Sequence, residues 1–193
     1  MATIPNILTF SRILAVPLIV GTFYIPSTLG IWITFAIFCT AAVTDFLDGW
    51  LARRLEQTSK LGQALDPIAD KLLVVSVLVM LLVESRVSEI VLVVILTREF
   101  LVAGIRESLA GRVTIPVTQL SKWKTAGQLI AIGILVVAPA ISVEIDSILQ
   151  LLGEILLWIV AIITWITALP YIFTAYQTLS KNKSDQPSNN GMN

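Results

Sequence analysis

The sequence predicts an all-α membrane protein with six transmembrane helices, entered through a short N-terminal interfacial segment. Three observations carry this. Hydrophobic residues make up 56% of the 193-residue chain and charged ones only 13%, against about 25% charged in ordinary soluble domains. Mean hydropathy is +0.87. Apolar stretches also recur along the chain, each able, with its mildly polar neighbours, to form a bilayer-spanning helix of roughly 20 residues.

The opening Ile4-Pro5-Asn6-Ile7-Leu8-Thr9 mixes Pro, Asn and Thr with apolar residues and reads as the interfacial segment. Apolar runs at 13–22, 31–43, 72–83, 90–105, 126–141 and 148–176 follow as the six spans. Residues 181–193 are polar and rich in Asn and Ser, the composition of a disordered tail. That leaves 1–180 as a single transmembrane domain with no visible internal repeat.

Composition excludes several chemistries. The chain has no histidine, which removes a Ser/His/Asp triad, a Cys/His pair and a His-liganded zinc site. Cys39 is the single cysteine, sits in an apolar run, and reads as a small core hydrophobe. Formal net charge is zero, so no global basic balance points to nucleic acid.

Six spans place both termini on one side, and the basic residues identify it. Arg12, Arg53, Arg54, Lys60, Arg112, Lys122, Lys124, Lys181 and Lys183 fall in one set of loops and ends, and Arg86 in the other. The first set is therefore cytoplasmic. A helix starting near Ile31 puts Asp45 roughly 20 Å along its axis, still within a hydrocarbon layer about 30 Å thick.

Asp45, Asp48, Asp66 and Asp70 are the costliest residues in such a chain, because an ionisable group inside a membrane segment needs a named partner. Asp45 and Asp48 are three apart and Asp66 and Asp70 four apart, so each pair lines one face of its helix. A short connection packs the two helices as antiparallel neighbours and brings the pairs together at the cytoplasmic end. Four ionised carboxylates that close would protonate unless cations neutralised them. Two Mg²⁺ or Mn²⁺ ions balance the charge, and oxygen-only ligands suit hard cations rather than zinc or copper.

The residues between the pairs point to a phosphorylated ligand. Gly49 and Ala52 clear space beside Asp48, Arg53 supplies a planar fork for a diphosphate, and Gly62 repeats the opening on the second helix. Taken singly, each has a simpler reading: small residues permit helix packing, Arg53 anchors the cytoplasmic side, and Asp66 before Pro67 caps a helix. The combined spacing, Asp45-x-x-Asp48-Gly49-x-x-Ala52-Arg53, eight residues, then Gly62-x-x-x-Asp66-x-x-x-Asp70, matches every fixed position of a known signature. On it the chain resembles the CDP-alcohol phosphotransferase family. Ile4 to Thr9 with Arg12, Asp66-Pro67 with Ala69-Asp70-Lys71, Arg98-Glu99, Arg106-Glu107 and Lys122-x-Lys124-Thr125 extend the likeness toward a bacterial branch of it.

The resemblance implies a six-helix membrane enzyme, commonly a homodimer, with a polar site open to cytosol and lipid in the bacterial inner membrane. It implies transfer of the phosphatidyl group of CDP-diacylglycerol to sn-glycerol 3-phosphate, with CMP released. By the same likeness Asp45, Asp48 and Asp66 hold one metal ion, and Asp45, Asp66 and Asp70 the other. Asp70 is the general base, Gly49 and Ala52 border the cytidine, and Arg53 meets the diphosphate.

The acceptor's own phosphate asks for basic groups away from the aspartates. Arg98 and Arg106 are eight apart, sharing a helix face at a separation of roughly 12 Å, and Lys122 and Lys124 follow that helix's cytoplasmic end. Their simpler reading is charge balance with Glu99 and Glu107 and headgroup anchoring. Other acceptors within the family, among them serine, inositol phosphate and phosphatidylglycerol, remain alternatives. A cation transporter predicts acidic residues along a route through the membrane, but Glu84, Glu89, Glu144 and Asp146 fall only in expected loops. A structural subunit leaves the aspartate spacing unexplained.

Overall fold

The computed structural model describes the backbone of residues 4–55, 60–109 and 119–184, and the side chains of 10–44, 68, 69, 71–109, 119–121, 123–178 and 180. Among the described residues every regular element is helical: α1 Ile4–Phe23, α2 Thr28–Leu55, α3 Lys60–Val83, α4 Glu89–Leu109, α5 Gln119–Val137, a 3-10 turn Ala138–Ala140, α6 Val143–Ile166 and α7 Leu169–Ser184. Two stretches, Gln119–Ala140 and Val143–Thr178, are long and apolar enough by themselves to cross a bilayer. Phe10–Phe23, Thr28–Thr44 and Lys71–Val83 are shorter apolar helical runs.

The N-terminal segment is part of a helix. α1 begins at Ile4 and continues unbroken through Pro17. It packs against both α2 and α3, while α5 packs on α2 and most extensively on α6. α1 thus joins the two helices that carry the aspartates. The interior is aliphatic: Ile19, Phe38, Val77, Leu78, Leu81, Ile95, Ile132, Leu135 and Leu157 are all buried in one cluster. Large apolar residues such as Leu14, Trp32, Val93, Phe100 and Ile162 face outward, as helices solvated by lipid should.

Small residues and caps set the connections. At the α1–α2 turn a Cβ on Gly30 would lie 2.5 Å from the Ile25 carbonyl oxygen, so a side chain there displaces backbone. Thr34 Oγ1 donates to Thr22 Oγ1 at 2.7 Å and ties the same two helices. α3 ends in a 6→1 and 5→2 hydrogen-bond pair: Arg86 N donates to the Leu81 carbonyl at 2.8 Å and Ser85 N to that of Leu82 at 2.9 Å. Ser85 takes the left-handed position with φ 57°.

α5 and α6 approach through Gly153, where a Cβ would stand 2.6 Å from Leu135 Cγ. Leu135 is fully buried and has nowhere to retreat. Gly153→Val is therefore expected to lower stability by about 2 kcal/mol through overpacking. A thermal melt of the detergent-purified protein checks this, and an unchanged midpoint would contradict the close approach.

The last apolar run departs from the sequence expectation. Residues 148–176 read as one span, yet the chain breaks between α6 and α7. Pro170 has no N–H for the Ile166 carbonyl, and Ala168 N bonds the Trp165 carbonyl at 3.0 Å in place of Thr164. The Thr164 carbonyl is thereby released to another donor. α7 then runs to Ser184, four residues into the polar segment expected as a tail.

Candidate functional site

The four aspartates occupy the expected ends of two sequential helices. Asp45 and Asp48 lie in the last three turns of α2, with Gly49, Ala52 and Arg53 after them. Gly62, Asp66 and Asp70 lie in the first three turns of α3. Their side chains, with those of Gly49, Ala52, Arg53 and Gly62, lie outside the described residues. The helical backbone supports the pairing along each helix: offsets of three and four residues put each pair on one face. Four carboxylates without nitrogen or sulfur would make a hard-oxygen set of the kind Mg²⁺ and Mn²⁺ take.

A described polar cluster begins one residue beyond Asp70. Lys71 Nζ donates to the backbone carbonyl of Glu99 at 3.4 Å. Arg98 Nη1 and Lys124 Nζ both donate to Glu99 Oε1, at 2.9 and 2.5 Å. Arg98 also donates from Nε to the Thr164 carbonyl at 2.6 Å and from Nη2 to Thr167 Oγ1 at 2.9 Å. Arg98 and Lys124 are 5% and 7% exposed. The network joins α3, α4, α5 and the end of α6.

The structure therefore brings Arg98 and Lys124 together and leaves Arg106 outside their network. Arg98 and Lys124 share one carboxylate. Arg98 spends three donors within the fold and receives the carbonyl released at the α6 break, where a cation also complements the helix's negative end. Arg106 is exposed and makes no polar contact among the described residues. Lys122 lies in α5, its side chain outside the described residues. The Arg98–Glu99 pair anticipated as charge balance forms at 2.9 Å, whereas Arg106 and Glu107 are both exposed.

From the sequence Glu99 had only a charge-balancing role beside Arg98, and Lys71 had none. The available signal for Glu99 was an acidic residue inside an apolar helix, directly after an arginine. At the opposite end of α4 and α6, Arg86 forms a two-pronged ion pair with Asp146, Nη1 to Oδ1 at 2.8 Å and Nη2 to Oδ2 at 3.1 Å.

With this geometry in place, known proteins decide the lineage. A model of the CDP-alcohol phosphatidyltransferase family matches residues 2–175. The chain belongs to that family. Among its relatives in the CDP-alcohol phosphatidyltransferase family is the CDP-diacylglycerol–glycerol-3-phosphate 3-phosphatidyltransferase of Rickettsia bellii, 48% identical over 169 residues, which are 87% of this chain and 92% of the relative. The Haemophilus influenzae protein of the same name is 37% identical over 184 residues, 93% of this chain and 96% of its own. An Arabidopsis thaliana protein, numbered 2 under that name, is 38% identical over 157 residues, 74% of this chain and 67% of its own. Family membership confirms the resemblance read from the aspartate signature.

Proposed function

We propose that the protein transfers the phosphatidyl group of CDP-diacylglycerol to sn-glycerol 3-phosphate, yielding phosphatidylglycerophosphate and CMP. The aspartate signature on α2 and α3 carries this reading, and relatives matched along nearly their whole length bear that enzyme's name. The acceptor hydroxyl oxygen forms a bond to the phosphorus bearing diacylglycerol. The bond from that phosphorus to the bridging oxygen of CMP breaks, and the hydroxyl proton passes to the Asp70 carboxylate. Two Mg²⁺ or Mn²⁺ ions, held by Asp45, Asp48, Asp66 and Asp70, would polarise the diphosphate and offset charge on the departing CMP. Gly49, Ala52 and Gly62 leave room for the nucleotide, and Arg53 orients the diphosphate.

Arg98, Arg106, Lys122 and Lys124 form the acceptor-phosphate side of the site, with Arg98 as its fixed post. Arg106→Ala is expected to raise KM for glycerol 3-phosphate about tenfold, equivalent to about 1.4 kcal/mol, and to leave KM for CDP-diacylglycerol little changed. Steady-state kinetics varying each substrate reads this directly. The reverse pattern would move Arg106 to the nucleotide.

α1 to α6 are the six spans, with both termini and the aspartates on the cytoplasmic side of a bacterial inner membrane and two copies forming the working unit. Placement of the Arg86–Asp146 pair at the far end supports this orientation, because the one basic residue expected outside has its charge matched by a carboxylate. The deciding experiment incubates purified protein with Mg²⁺ or Mn²⁺, CDP-diacylglycerol and labelled glycerol 3-phosphate. Labelled lipid and CMP are expected in equal amounts. Turnover only with serine, inositol phosphate or phosphatidylglycerol would refute the acceptor while sparing the reaction class.

A further inference from the structure

Arg98 and Lys124 meet on one oxygen of Glu99, but they are held unequally. Arg98 has two further bonds, to the Thr164 carbonyl and the Thr167 hydroxyl, which fix its guanidinium to the end of α6. Lys124 has Glu99 as its single partner among the described residues. Its ammonium is largely buried, so the Glu99 carboxylate is what makes that burial tolerable. A phosphate presents the same kind of anionic oxygen to an ammonium as a carboxylate does. Of the two cations on Glu99, Lys124 is therefore the one held by that carboxylate alone among the described residues, and Arg98 the one fixed elsewhere as well.

We infer that Glu99 is an internal counter-ion to Lys124: it holds the lysine before the acceptor arrives and competes with the acceptor's phosphate for it. The inference rests on the phosphorylated-acceptor reading above and adds a positioning residue to it. Its consequence follows from the reaction. The phosphate of glycerol 3-phosphate does not react and leaves on the product, so a site that gripped it tightly would grip substrate and product alike, lowering KM without raising turnover. A carboxylate reclaiming Lys124 weakens that grip and helps the product depart, a step that limits many enzymes.

Glu99→Gln tests the inference, because the amide keeps an oxygen acceptor of nearly the same shape and removes the charge. Inorganic phosphate, competing with glycerol 3-phosphate, is expected to inhibit the variant about tenfold more strongly than the wild type. KM for glycerol 3-phosphate and kcat should both fall several-fold, with KM for CDP-diacylglycerol unchanged. A merely structural glutamate would not tighten phosphate binding. Glu99→Asp keeps the charge but shortens its reach, and a roughly threefold tightening is expected even if the amide variant does not fold. Phosphate inhibition unchanged or weaker in a folded variant overturns the inference. Failure of the wild type to make lipid from glycerol 3-phosphate would instead overturn the acceptor reading on which it rests.

Discussion

Asp70→Asn should lower kcat by about 10³-fold or more while leaving the helical fold intact. General-base catalysis contributes typically 10²–10⁴-fold, and under the proposed scheme this carboxylate also helps bind a metal ion, so its neutralisation removes two functions together. The amide matches the carboxylate in size and Asp70 lies inside α3, so circular dichroism should not change. Asp45→Asn provides the contrast. That residue is assigned to both metal ions and not to the proton, so CDP titrated in the presence of Mg²⁺ should bind less tightly, with CDP affinity and metal dependence shifting together. Wild-type turnover in either variant would contradict the roles proposed.

Arg98→Ala is expected to cost about 3 kcal/mol of stability. Interhelical hydrogen bonds in membranes are worth about 1 kcal/mol each, and Arg98 makes two, to the Thr164 carbonyl and the Thr167 hydroxyl, besides a charge-assisted one to its helix neighbour Glu99, which adds about 1 kcal/mol or more. Alanine leaves the Thr164 carbonyl with the Thr167 hydroxyl, at 2.9 Å, in place of two donors, since the Ala168 N–H is already turned to Trp165. The change also removes a cation from beside Glu99, although Lys124 remains. At about 2–4 °C per kcal/mol for a domain of this size, the melting midpoint should fall by roughly 6–12 °C. Arg98→Lys should recover less than half, because a point ammonium cannot reproduce a three-way fork. An unchanged midpoint with a raised KM for glycerol 3-phosphate would leave Arg98 its place beside the acceptor phosphate and remove its part in holding the fold.

Helix content and the place of the aspartates were legible because both depend on short-range spacing. Apolar runs about as long as a bilayer is thick announce helices, and the three- and four-residue offsets among the aspartates state which side chains share a face. Family membership was legible for the same reason, since the signature is a fixed local pattern. The α6–α7 break was partly written in Pro170, but that residue's effect was hidden within a long apolar run.

The partners of the buried charges were not legible. Arg98 and Lys124 stood out, together with Arg106 and Lys122, as phosphate ligands, yet nothing local reveals that Arg98 meets a carbonyl 66 positions later. Nor does it reveal that one Glu99 oxygen serves cations from two helices. By itself the sequence determined what kind of solvent surrounds the chain, which segments are helical and which residue types line each face, because hydropathy and helical period act over a few turns. Tertiary structure alone decided which charges are committed to the fold and which are exposed, because that depends on which helices pack side by side.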